Sequence, residues 1–314
     1  MFDLAALKRA VDIHGRVARV VVASVAGSAP REAGAAMLVW DGGQSGTIGG
    51  GALELMAAER ALHHEGLTRH PLGPELGQCC GGAVVLLTEI YDAARLAQLD
   101  GREIIARGPG DMPLAVARIL DRARAQGTQP QPQLVGDWMV EPVLKPSRDL
   151  WIWGAGHVGR ALVNVLSPLP EIALTWVDTA PDRFPAEVPE TVRLLPAPRP
   201  EAAVPLADRH ASHLVLTYSH AIDLALCHAL LSHGFGFAGL IGSDTKWARF
   251  RSRLAALGHK PDEISRITCP IGQKSLGKHP QAIALGVATQ FLALNTSRQK
   301  ETTPWPTRFS ASAG

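Results

Sequence analysis

Hydrophobic and polar positions change rhythm near residues 146–147. Before that point, residues 4–14 predict a short helix, and the valine-rich run Val17–Val25 favours a strand. Met37–Trp40 predicts a second strand closed by the turn Asp41-Gly42-Gly43. Leu53, Met56, Ala57 and Leu62 share a face in a helix predicted over Ala52–His64. Ala83–Leu87 predicts a strand and Leu114–Ala125 a helix, followed by an exposed Gly/Gln/Pro connection over Gly127–Gln133. Trp138–Leu144 adds an extended segment.

Beyond the boundary, strands alternate with helices. Leu150–Trp153, Ala173–Val177, Val192–Leu195, Leu214–Thr217 and Phe237–Ile241 are the candidate strands. Helices are expected over His157–Leu166, Ile222–Ser232, Trp247–Leu257 and Pro280–Leu294, the last with Ile283, Val287 and Phe291 on one face. This order needs a parallel sheet covered on both faces. The reading is α/β: a first domain over residues 1–146, a Rossmann-like domain over 147–294 and a flexible tail over 295–314.

Composition narrows the function classes. Apolar residues make up 46% of the 314, enough for two cores, and the formal charge of +2 offers no basic block for nucleic acid. No apolar run reads as a membrane span, and the start Met1-Phe2-Asp3-Leu4 does not read as a secretory signal. Four cysteines do not make a disulfide framework, which points to a reducing cytoplasm.

Gly154-Ala155-Gly156-His157-Val158-Gly159 follows a predicted strand. In such a turn Gly154 permits the bend, Gly156 lets a ligand's phosphate approach the backbone, and Gly159 lets helix and strand pack closely. Asp178 ends the next strand, 22 residues after Gly156, where a carboxylate either accepts from ribose hydroxyls or caps the local turn. His157 either reaches a phosphate or is solvated. His220 follows a strand end and has the spacing to pair with Asp223; a local cap by Ser219 or Asp223 is the alternative. Gly242-Ser243-Asp244 carries an N-cap pattern, and Lys246, Arg249, Arg251 and Arg253 form either a solvated face or an anion surface. No residue spacing singles out a dehydrogenase catalytic set.

In the first half, Arg31, in Gly27-Ser28-Ala29-Pro30-Arg31, can grip a planar anion. Gly46-Thr47-Ile48-Gly49-Gly50-Gly51 is either an anion nest with a Thr47 hydroxyl or a structural turn, and it lacks the lysine of a phosphate loop. Glu54, one turn into the next helix, could cap that loop's free amides. Cys79 and Cys80 are adjacent and do not form a zinc quartet; among flanking glycines they suit a soft metal or transferable sulfur, against the alternative of small buried hydrophobes. Cys227 reads as core, and Cys269 as a weaker candidate.

Together these motifs resemble the XdhC/CoxI family. Gly27–Glu32, Gly46–Glu54 and Leu76–Gly82, with Gln78-Cys79-Cys80, carry the first-half match. Gly154–Gly159, Asp178 with Pro181–Pro185, and Gly239–Ser243 with Lys246 and Arg249-Phe250 carry the second. The resemblance implies an N-terminal accessory domain joined to a Rossmann-like domain. It also implies a molybdenum-cofactor (molybdopterin) chaperone that works with a cysteine desulfurase, serves xanthine dehydrogenase and self-associates. The implied contacts are Arg31, Gly46, Thr47, Gly49, Gly50, Gly51, Gln78, Cys79, Cys80, Gly154, Gly156, His157, Gly159, Asp178 and His220, with Cys79 and Cys80 on the metal. Lys274-Ser275-Leu276 and Tyr218 depart from the sequences of many relatives. A nucleotide-dependent oxidoreductase using the second half is the alternative reading.

Overall fold

The computed structural model describes residues 1–73 and 81–300, and for 295–300 the backbone alone. Two compact units divide the chain, Met1–Leu144 and Lys145–Gly314.

The first unit runs α1 (Leu4–His14), β1 (Val17–Ala26), β2 (Ala36–Trp40), β3 (Gly43–Gly46), α2 (Gly51–Ala61), β4 (Gly66–Pro71), β5 (Ala83–Tyr91), α3 (Ala93–Ala97), β6 (Ile104–Arg107), α4 (Leu114–Gln126), β7 (Gln133–Val135) and β8 (Trp138–Pro142). A five-stranded sheet has the order β3-β2-β1-β5-β4 with antiparallel neighbours. A second antiparallel sheet has the order β6-β8-β7. β1 is almost continuously apolar because both of its faces are covered. Ala18, Val20 and Val22 join the core with Leu53 of α2, while Val21 and Ala23 pack with Met139 of β8. Arg19 lies within this run, 2% exposed, and both ends of its guanidinium donate to Glu141 of β8, at 2.9 and 2.8 Å.

The second unit runs β9 (Arg148–Trp153), α5 (His157–Leu166), β10 (Ile172–Asp178), β11 (Val192–Pro196), β12 (Ser212–Val215), α6 (His220–His233), β13 (Phe237–Leu240), α7 (Asp244–Ala256), α8 (Pro261–Ser265), β14 (Ile267–Thr268) and α9 (Pro280–Lys300). Its six strands are parallel, in the order β11-β10-β9-β12-β13-β14. Numbered within the unit this is 3-2-1-4-5-6, the doubly wound order of the Rossmann fold, whose crevice opens beyond the carboxyl ends of the strands where the order reverses. Here that switch point lies between β9 and β12. Leu150 and Ile152 face a core with α5 and α9, whereas Trp151 and Trp153 face one with α6, α7 and α8.

The expected α/β architecture is what the structure has. α5 keeps its expected bounds, and α6 begins two residues early because the Ser219 hydroxyl caps it by accepting from the Ile222 amide. α9 continues through Lys300, so six residues of the expected tail are helical. Residues 301–314 lie outside the described residues. Among the described residues, no helix is long and apolar enough to cross a membrane.

Candidate functional site

In the first unit, three sequence motifs that are far apart in the chain come together. Pro30 sits against Gly49, where an added Cβ would lie 2.6 Å from Pro30 Cβ. Arg31 reaches the same loop, its Nη1 donating to the Thr47 carbonyl at 3.4 Å. Gly82, beside the cysteine segment, packs so closely on the Gly27–Arg31 loop that an added Cβ would lie 2.2 Å from the Ser28 carbonyl oxygen. Gln78, Cys79 and Cys80 lie outside the described residues. Their described flank, Gly82, is thus fixed against the loop that carries Arg31.

The glycine loop owes its form to positive φ at Gly46, Gly49, Gly50 and Gly51. Its donors are engaged from within. Glu54 Oε2 accepts from the Thr47 hydroxyl at 2.6 Å, the Ile48 amide at 2.9 Å and the Gly50 amide at 3.0 Å. Gln44 donates to Oε1 at 3.2 Å. Partial burial works against ionisation of Glu54, but these bonds outweigh it and hold the carboxyl below its usual range. Arg31 also grips its neighbour Glu32, Nη2 to Oε1 at 3.1 Å, and keeps 38% of its side chain exposed.

In the second unit the turn after β9 is tightly built. Gly154 has φ +121°, and an added Cβ would meet the Leu216 carbonyl oxygen at 2.5 Å. The Gly154 carbonyl accepts from the Trp176 indole N–H at 3.0 Å. Gly159 lies over that same carbonyl: a Cβ there would be 2.0 Å from its oxygen. Gly156 differs. It precedes α5 with no side-chain cap, and an added Cβ meets nothing within 4 Å. The first amides of α5 thus have no side-chain cap, and a helix start of this kind offers donors to a phosphate. His157 is exposed beside them.

Asp178, 4% exposed, has its partners inside the chain. Oδ2 accepts from the Ala155 amide at 2.6 Å, and Oδ1 from the Thr179 amide at 2.6 Å and the Thr179 hydroxyl at 3.0 Å. These are the contacts of the capping alternative, and they tie the glycine turn to β10. Asp178→Asn places an NH₂ against one of these donors, so it should lower the unfolding midpoint by the equivalent of about 1–3 kcal/mol as well as weaken any ligand. A melting curve unchanged from wild type would leave the carboxylate free for ribose recognition alone. Beside it, Arg183 Nε lies 3.4 Å from Asp178 Oδ1, and the guanidinium stacks 4.7 Å over the exposed Tyr218 ring.

Of the two alternatives at this strand end, the His220–Asp223 pair does not form and the Ser219 cap does. His220 meets the Phe250 ring edge-on, with centroids 6.4 Å apart. Asp223, 1% exposed, accepts from the Thr217 hydroxyl at 2.7 Å, the Thr217 amide at 3.0 Å and Lys246 Nζ at 2.6 Å. A first-turn carboxylate faces its own helix N-terminus, so the strand-end Thr217 and the next helix reach it before His220 does. Lys246 is therefore turned inward rather than solvated. Cys227 is buried, as expected for a core residue, and burial pushes its thiol well above the usual range. Cys269 is half-buried, and burial pushes its thiol up to about 11.

Two family models match the chain: the XdhC Rossmann domain over residues 150–291, and the XdhC and CoxI family over residues 11–69. The chain belongs to the XdhC/CoxI family. A solved structure from Bacillus halodurans, named as a xanthine dehydrogenase, has a similar fold, with a TM-score of 0.69 at 19% identity over 97% of this chain and 98% of that one. A Rossmann-fold NAD(P)-binding family protein from Shigella flexneri matches 36% of this chain and 63% of its own at 18% identity, with a TM-score of 0.28. The Escherichia coli K12 protein YqeB, described as uncharacterized, is 24% identical over 285 residues. That match takes in 86% of this chain but 42% of YqeB, so the chain spans less than half the length of this curated relative.

Proposed function

We propose that this protein is a maturation chaperone that binds molybdenum cofactor, supports its sulfuration by a cysteine desulfurase and hands it to xanthine dehydrogenase in the cytoplasm, acting as a self-associated assembly. The observation that carries the reading is the meeting, in the first unit, of the Gly27–Arg31 loop, the Gly46–Gly51 loop and Gly82. The cargo is a phosphate-bearing pterin with a sulfur-bound metal. Arg31 keeps an exposed guanidinium for an anionic oxygen, and the loop around it is rigidly placed. Among the described residues, no cluster of three or more His, Cys, Asp or Glu could hold a metal ion. The soft-ligand role in this proposal therefore rests on Cys79 and Cys80, whose thiolates suit molybdenum or transferable sulfur. In the second unit, the uncapped amides after Gly156 offer donors for a phosphate or nucleotide portion.

Replacing Cys79 or Cys80 with alanine should reduce cofactor retention by about tenfold or more while leaving the melting temperature near wild type. Retention is read from bound molybdenum and pterin, and transfer from activation of molybdenum-free xanthine dehydrogenase. Normal retention and full activation in both variants would overturn the cysteine assignment. Failure of purified protein loaded with sulfurated cofactor to activate the apoenzyme would overturn the chaperone reading.

The sheet order and the open space at Gly156 support a second reading, a nucleotide-dependent oxidoreductase. A substrate-dependent change in nicotinamide absorbance would favour it. Nucleotide binding without turnover would not, because this fold keeps its crevice when its chemistry changes.

A further inference from the structure

A cavity of about 390 Å³ opens beyond the ends of β12 and β13, lined by Val158, Thr217, His220, Gly242, Ser243 and Lys246 among others. Lys246, whose side chain is 10% exposed, stands in this lining. Among the described residues the ammonium has two acceptors, Asp223 Oδ2 at 2.6 Å and the Ile241 carbonyl at 2.9 Å. An ammonium carries three N–H donors. The ammonium also lies 5.2 Å from the Phe250 ring centroid, so the third N–H has no oxygen acceptor but an aromatic face nearby, at the wall of the cavity.

The position of this cation is itself costly. Lys246 is the third residue of α7, and its partner Asp223 is the fourth of α6. Each helix N-terminus carries about half a positive charge, so a cation in that turn is disfavoured. Asp223 balances the ammonium, and the two helix ends remain. At the rim, Asp244 is paired with Lys274, which balances that carboxylate too. His220 faces the same cavity, and the Cys269 thiol, held protonated by burial, adds no negative charge behind Gly242. The cavity thus keeps a net positive field of about one charge in a partly dry setting, where an anionic oxygen is stabilised more than in water.

We propose that this cavity is an anion subsite that takes a phosphate group, with Lys246 as its hydrogen-bond donor. The proposal goes beyond the chaperone reading and does not depend on which cofactor the glycine turn carries. Because Val158 of α5 lines the cavity, a ligand anchored at Gly156 can extend into it.

Titration calorimetry of the full chain with inorganic pyrophosphate, and separately with ADP, tests the proposal. Saturable binding is expected for at least one of them. Tighter ADP binding would point to a phosphate ester as the natural source, and tighter pyrophosphate binding to a free anion. Lys246→Met alone would leave Asp223 buried and unpaired and could unfold the unit, so Lys246→Met is combined with Asp223→Asn. The double variant should bind about tenfold more weakly or worse. In the wild-type protein, bound pyrophosphate or ADP should protect Lys246 from acetylation, read by mass spectrometry, which settles the matter even if the double variant misfolds. Absence of saturable binding, wild-type affinity in a folded double variant, or Lys246 acetylation unaffected by ligand would each overturn the subsite.

Discussion

Gly159→Ala should be among the most damaging single changes in the second unit, whereas Gly156→Ala, three residues away, should be tolerated. A Cβ at residue 159 would lie 2.0 Å from the Gly154 carbonyl oxygen. That carbonyl cannot yield cheaply. It accepts from the buried Trp176 indole, and Gly154 itself is pressed against the Leu216 carbonyl with φ +121°. Relief requires moving α5 off the sheet, at a cost of about 3 kcal/mol or more. For a unit of this size the melting midpoint should fall by about 10 °C. At Gly156, φ is −72° and the space is open, so alanine costs about 1 kcal/mol through the weaker N-cap. A bulkier Gly156→Val should keep the fold yet block a phosphate from the α5 amides. Circular-dichroism melts of the three variants check this, and similar midpoints for Gly159→Ala and Gly156→Ala would refute the packing argument.

The second large effect is expected from Glu141→Gln in the first unit. Glu141 is fully buried and holds Arg19 through both oxygens; it also bonds Arg107, which reaches Glu89 at 2.6 Å. Both guanidinium groups lie over the Phe2 ring, at 4.2 and 5.1 Å from its centroid. Removing the central charge leaves two cations sharing one remaining buried carboxylate, a loss of about 3–5 kcal/mol. Burial pushes the Glu141 carboxyl up, but Arg19 and Arg107 more than offset it and bring it down to about 2, from an ordinary 4.5. A depressed carboxylate stabilises the fold above its unfolded value and loses that contribution as pH falls toward the folded one. Stability of the first unit should therefore decline as pH drops from about 4.5 to about 2, and Glu141→Gln should flatten that decline. Urea midpoints measured across this window decide it; parallel profiles for wild type and variant would sink the claim.

Parts of the architecture that depend on local rhythm were legible in the chain. The buried strands of the parallel sheet are short apolar runs, and the glycine turn with α5 follows a dense local pattern. β4 escaped notice because Gly66–Pro71 has no alternation: it lies at a sheet edge and is only partly buried. β3, with the sequence Gly-Gln-Ser-Gly, is defined by its hairpin with β2 and not by its own side chains. The two residues of β14 are too few to carry any period. For the candidate site, the motifs were visible but their pairings were not. Arg19 and Glu141 are separated by 122 positions, and Asp223 and Lys246 occupy the first turns of different helices. The chain carries one signal of the second pairing: a lysine at the third position of α7, where the helix dipole disfavours a cation. Glu54, placed by its spacing to cap the glycine loop, is the hub of that loop.

Phe2 has a consequence for how the first unit is made. Its amide donates to the Pro142 carbonyl, its carbonyl accepts from the Leu144 amide, and its ring is fully buried beneath two arginines. Phe2 must therefore wait for partners made some 140 positions later. Loop closure of that length comes late in folding. The nascent chain can zip β1 to β2 early, but it leaves Arg19 and Phe2 unsheltered until β8 has cleared the ribosome. A synthesis pause before that point would hold the unit open, with its valine-rich central strand uncovered on one face.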